Sequence, residues 1–135
     1  MEQDLERLRV AVDADGIAFV QAAGIRRRVI GGNGLQPTAA APRAQPEARR
    51  IVLNHQHAVC RPARVAQSSA LAWPDTVSCL IAVPITVGGQ SRGVLELVNE
   101  RPRRATDADM ALIRVVANRA AGFDGNAYGE AGAVA

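Results

Sequence analysis

The sequence predicts an α+β domain in which an amphipathic helix near each end of the chain encloses a run of strands, and three observations predict it. Residues 2–12 place Leu5, Leu8 and Val12 at helical spacing. Residues 79–99 read as two apolar strands around the turn segment GGQS. Residues 107–123 return to helical spacing, with Met110, Ile113, Val116, Ala117 and Ala120 on one side.

The bulk properties bound what such a domain can be. At 135 residues the chain makes one domain with a single core, and 48% hydrophobic against 21% charged residues is the balance of an ordinary globular protein. Cys60 and Cys79 have neither the spacing of a metal site nor the density of a disulfide framework, so reduced thiols in a cytoplasmic protein are expected. No apolar run approaches the ~20 residues that span a bilayer, and the acidic start MEQDLERLRV is no export signal. All 16 positive residues are arginine. Their two clusters, Arg26–Arg28 and Arg101, Arg103 and Arg104, are not interleaved with aromatic residues that stack on bases. A solvated arginine-rich surface is expected, and neither nucleic acid nor membrane is an expected partner.

Along the chain, Asp13, Asp15 and Gly16 break the first helix, and IAFVQAA (17–23) and IRRRVI (25–30) form a hairpin whose second member is an edge strand exposing its arginines. Residues 31–46, rich in Gly, Pro and Ala, read as a mobile loop. Pro46 then opens a helix through EARRIVLNHQH, with His55 in the middle of its apolar stripe. ARVAQ (63–67) reads as a short strand, followed by a loop carrying Trp73, the only tryptophan. CLIAVPITV is apolar enough to be covered on both faces, with a break in pairing expected at Pro84. In the returning strand Val94, Glu96 and Val98 share one face, which the glutamate marks as the wetter one. Thr106 and Asp109 have the spacing of a reciprocal helix cap. The Gly/Ala-rich segment 124–135 reads as a flexible tail after a single domain of residues 1–123.

The run CLIAVPITVGGQSRGVLELVNERPRRATDADMALIRVVANRAAGF resembles the GAF family, with its Val-Pro-Ile strand, glycine hairpin, Gly-Val-Leu-Glu-Leu-Val-Asn return strand and Asp-containing helix. The opening helix and strand, and ARRIVLNHQHAVCRPARVAQ, are similar to the family's beginning and middle. The resemblance implies an antiparallel sheet of five or six strands. Terminal helices would cover one face, and a middle helix with loops would cover the other around a ligand pocket. Fold alone does not supply a function.

What the resemblance implies is a non-catalytic sensory or regulatory domain of cytoplasmic signal transduction, with a small ligand held between sheet and middle helix. The residues expected at that pocket are His55, Arg64, Trp73 and Asp75: an imidazole for ligation, a cation, a stacking plane and an acceptor. The cofactor is unknown. Cyclic-nucleotide-binding members carry Asn-Lys, a Phe and Asp-Glu in the closing segment. Here Asn99 and Asp109 match, while Glu100, Ala105 and Met110 depart from that pattern. Bilin attachment needs a Cys beside a His, and neither cysteine has one.

A pocketless interaction and dimerisation module is the alternative, in which Leu5, Leu8, Ile113 and Val116 pair terminal helices between two copies. A thiol-dependent free methionine sulfoxide reductase is a minor one, although that branch places its reactive cysteine well before the Pro-containing strand. Since the chain carries no kinase, cyclase or DNA-binding segment, another signalling protein or a neighbouring module is the expected output partner.

Overall fold

Helical spacing at the start of the chain becomes α1, Glu2–Ala11, whose acidic first turn suits the helix dipole and whose Leu5 and Leu8 are buried. The computed structural model describes residues 1–23, 26–37 and 56–134, and the side chains of these except 22, 23, 26–28, 57, 90, 91 and 121–134. Val12 closes the helix by donating its N–H to Leu8 O, and Asp13 takes a left-handed conformation (φ 57°), which an aspartate tolerates better than most residues. The chain thereby turns directly into the sheet.

Among the described residues five antiparallel strands follow: β1 (Gly16–Ala23), β2 (Arg26–Gly31), β3 (His57–Val59), β4 (Cys79–Val87) and β5 (Gln90–Asn99), in the spatial order β2-β1-β5-β4-β3. The chain's first and last long strands thus meet at the centre, Phe19 opposite Leu95 and Ile17 opposite Leu97. The β1–β2 hairpin and the edge position of β2 agree with the sequence reading. Alternation sends Ile17, Phe19, Val83, Ile85, Leu95 and Leu97 toward α1 and the last helix, α3 (Asp107–Val134). Ala18, Val20, Leu80, Ala82, Val94 and Val98 line the opposite face, under α2 (Pro62–Ser68) and the loop after it.

Several expectations change. ARVAQ is helical rather than extended: Pro62 stands in the first turn, where its missing N–H costs nothing, and Ala, Arg and Gln are good helix formers. The helix expected over 46–57 lies mostly outside the described residues, but its last residue, His57, belongs to β3. Of the expected mobile loop, residues 31–37 are tied down, since Leu35 donates to Asp15 O at 2.8 Å and bridges Gly16. Pro84 stays in register opposite Val94, and the irregularity falls at Ile85/Thr86. Proline is tolerated there because β3 reaches only Leu80–Ala82, leaving the outer edge of β4 without a strand partner among the described residues. Residues 124–134, read from sequence as a Gly/Ala-rich tail, are helical and form the end of α3.

The two terminal helices run antiparallel, with Arg119 within 4.0 Å of Asp4 at one end and Arg103 joining Val12 to Asp109 at the other. Leu5, Leu8, Ile113 and Val116 therefore pack inside the domain and are unavailable for pairing between copies. Thr106 and Asp109 form the reciprocal cap foreseen from their spacing, both bonds at 3.0 Å.

Gly93 is required at the β1–β5 crossing. Its φ of 153° and the close approach of the Val20 carbonyl leave no room for a Cβ. Gly93→Ala is expected to lower the unfolding free energy by more than about 2 kcal/mol in denaturant titration.

Candidate functional site

The face of the sheet opposite the terminal helices is organised by a side chain that the sequence reading assigned to solvent. Glu96, in the middle of β5, is fully buried. Its carboxylate accepts hydrogen bonds from Ser69 Oγ (2.5 Å), Ala70 N–H (2.7 Å) and Trp73 Nε1–H (2.8 Å). Ser69 Oγ in turn accepts from Leu71 N–H at 2.9 Å. Two carboxylate oxygens can take several donors at once, and charge-assisted bonds of this kind offset the cost of removing the group from water.

This arrangement folds the 69–73 segment onto the sheet. The Cζ3 edge of Trp73 and the Leu35 carbonyl both close on Gly16, where an added Cβ would lie 2.9 Å from each. Leu71 and Val77 complete the cover, with Val65 of α2 behind them. The wetter face expected around Glu96 is dry. The signal for this lay in the neighbouring strand: CLIAVPITV reads as covered on both faces, so an adjacent strand must be covered too, glutamate included.

Of the residues singled out from sequence, Trp73 and Asp75 share one hollow of about 220 Å³, bounded by Pro62, Val65 and Leu71. Trp73 is only 9% exposed and Asp75 is exposed. Arg64 lies elsewhere, in a shallow hollow of about 340 Å³ with Arg61 and Cys60. His55 lies outside the described residues. A wider hollow of about 420 Å³ between α1 and Gly31–Asn33 is polar and open, and contains none of the four. At its wall Arg9 bonds Glu6 through both nitrogens of its fork (2.7 and 2.6 Å) and holds that carboxyl below its usual range, against the opposing effect of desolvation; the Asn33 N–H adds to the lowering.

The two residues that match the cyclic-nucleotide pattern are occupied structurally. Asn99 donates to the Asp13 carbonyl at 2.8 Å, and Asp109 caps α3. Cys60 and Cys79, expected as reduced thiols, are joined in a disulfide. No group of His, Cys, Asp or Glu among the described residues could hold a metal ion.

A central sheet with terminal helices on one face and a short helix and loop folded onto the other is the architecture implied by the closing segment. The family model for the GAF domain matches residues 4–122. The chain belongs to the GAF domain family. Members commonly serve as sensory or regulatory domains in signalling proteins. Among solved structures it is similar to the GAF domain of a phosphoenolpyruvate-protein phosphotransferase from Coxiella burnetii, at 16% identity and a TM-score of 0.74 over 97% of this chain and 86% of that one. The corresponding Acinetobacter domain gives 13% identity and 0.71 over 93% and 80%. A type II free methionine-R-sulfoxide reductase from Thermoplasma acidophilum gives 15% and 0.72 over 92% and 89%. At these identities the likeness is one of fold. No curated protein matches this GAF domain. No helix among its described residues is long and apolar enough to cross a membrane.

Removing the carboxylate would strand three donors in a dry site. Glu96→Ala is expected to destabilise the domain by about 3 kcal/mol in denaturant titration. Glu96→Gln should cost less and shift the emission of the single, buried tryptophan to the red; unchanged emission in both variants would contradict the anchoring role.

Proposed function

We propose that this GAF domain is a non-catalytic regulatory module of cytoplasmic signalling that acts through protein contacts, pairing with a second copy of itself along α3 and passing its output to another signalling protein. The observation that carries this is a second apolar stripe on α3. Ile113, Val116, Ala117 and Ala120 face the core, yet Ala108, Ala111, Leu112 and Val115 repeat at helical spacing roughly a third of a turn away, all of them exposed. Leu112 and Val115 are 38% and 50% exposed. A helix apolar on two sides is the pattern of one covered on two sides. A two-fold axis lays such a stripe on itself, so a like copy is a self-sufficient occupant.

Among the described residues α2 and the 69–77 segment cover the opposite face, which favours this over ligand sensing. Its hollow of about 220 Å³ is smaller than the ~300–1,000 Å³ of sites that enclose drug-sized molecules. A sensing reading retains one specific support, the convergence of Trp73 and Asp75 on that hollow, and it would take a very small ligand. Reductase chemistry in the hollow would need a thiol there, and neither Cys60 nor Cys79 lines it.

Sedimentation velocity should find a reversible dimer at micromolar concentration. Val115→Glu and Leu112→Glu are each expected to weaken it at least tenfold while leaving the thermal midpoint within a few degrees, because both side chains are exposed. A wild-type chain that stays monomeric at ~100 μM would overturn the proposal.

A further inference from the structure

We propose that the Cys60–Cys79 pair is a reversible thiol–disulfide exchange site for an anionic low-molecular-weight thiol. The pair stands apart from the Glu96 loop and from the exposed stripe of α3, and its test can fail or succeed independently of the dimer. It fastens the residue after β3, a three-residue edge strand, to the first residue of β4.

The two sulfurs are unequal. Cys79 is 3% exposed, whereas Cys60 is open to solvent. An attacking thiolate can therefore reach the Cys60 sulfur and expel the other, which fixes the direction of exchange. Two hollows meet at Cys60. One, of about 480 Å³, is lined by Arg103, Arg104 and Met110; the other, of about 340 Å³, by Arg61 and Arg64. No aspartate or glutamate lines either among the described residues. Arg103 is engaged with the Val12 carbonyl and Asp109, so the cations that face an incoming molecule are the exposed Arg61, Arg64 and Arg104. Such a field raises the local concentration of an anion and suits a carboxylate-bearing thiol in the space provided.

The backbone of Arg103 serves both redox states. Its N–H points at Cys79 Sγ (3.4 Å), and its carbonyl oxygen lies 3.7 Å from Cys60 Sγ. A disulfide sulfur has no hydrogen to donate, so the second contact becomes a hydrogen bond only when Cys60 carries its proton. In the forward step a thiolate attacks Cys60 Sγ, the Cys60–Cys79 bond breaks, and its electron pair leaves on Cys79 Sγ, which the Arg103 N–H receives and solvent then protonates. A second thiolate attacks the outer sulfur of the mixed disulfide, releasing Cys60 as thiolate and the small molecule as its own disulfide. Two small thiols are oxidised and one protein disulfide is reduced; the reverse sequence oxidises the protein.

Glutathione is a suitable anionic probe and cysteamine a cationic counterpart. The oxidised full-length chain is mixed with each at equal thiolate concentration, quenched, alkylated and read by intact mass. Glutathione is expected to reduce the pair on the order of tenfold faster than cysteamine, and combined Arg61→Ala, Arg64→Ala and Arg104→Ala substitution, all at exposed positions, to bring the two rates together. In Cys79→Ser, glutathione disulfide should load one glutathione onto Cys60. Equal rates in the wild-type chain, or a pair that resists ~10 mM glutathione until the protein is denatured, would overturn the proposal.

Discussion

One buried carboxylate decides what the upper face of this sheet can do. Glu96 sits between the buried Val94 and Val98 of β5, and a charge in that place persists only if enough donors surround it. Three donors come from one segment, Ser69 to Trp73, which is thereby drawn down onto the sheet. Trp73 covers Gly16, Leu71 and Val77 fill the space beside it, and α2 is held above by Val65. Stability and function meet in this network, because the side chains that satisfy Glu96 also occupy the face on which a ligand would rest.

The other face follows a different logic. There the sheet is closed by plain burial, with Leu5 and Leu8 of α1 and Ile113 and Val116 of α3 each contributing roughly 1.5–3 kcal/mol of transfer free energy. Polar contacts set position more than stability: Thr106 and Asp109 start α3, and Arg103 joins the end of α1 to the first turn of α3. The strap around Arg103 also touches both sulfurs of the Cys60–Cys79 pair. The edge of the sheet, the start of the last helix and the end of the first are therefore linked through one residue that the sequence reading placed in a solvated arginine cluster.

Much of the fold was legible because it is written in periodic patterns. The apolar run of β4, the alternation in β5, the glycine turn between them and the capping pair at 106 and 109 are local signals, and each led to the element observed. The middle was harder. ARVAQ has no periodicity long enough to choose between helix and strand, and its choice rests on Pro62 starting a turn rather than ending one. At the candidate site, Trp73 and Asp75 were brought to one hollow, while Arg64 turned toward Cys60. Glu96 was misplaced because a polar residue in a strand is read as facing water unless a partner is known, and Ser69, Ala70 and Trp73 lie 23 to 27 positions away.

By itself the sequence determined the α+β class, the strand–hairpin–strand–helix order of its second half and the absence of the full cyclic-nucleotide pattern, since each of these depends on residues close together in the chain. The tertiary structure alone decided that Glu96 is dry, that Leu5, Leu8, Ile113 and Val116 are spent on the domain's own core, and that Cys60 meets Cys79 from 19 residues away. The reason is physical: hydrophobic spacing fixes which side of an element is buried, but which groups satisfy a buried charge or a sulfur depends on contacts between distant segments, and no local pattern encodes those.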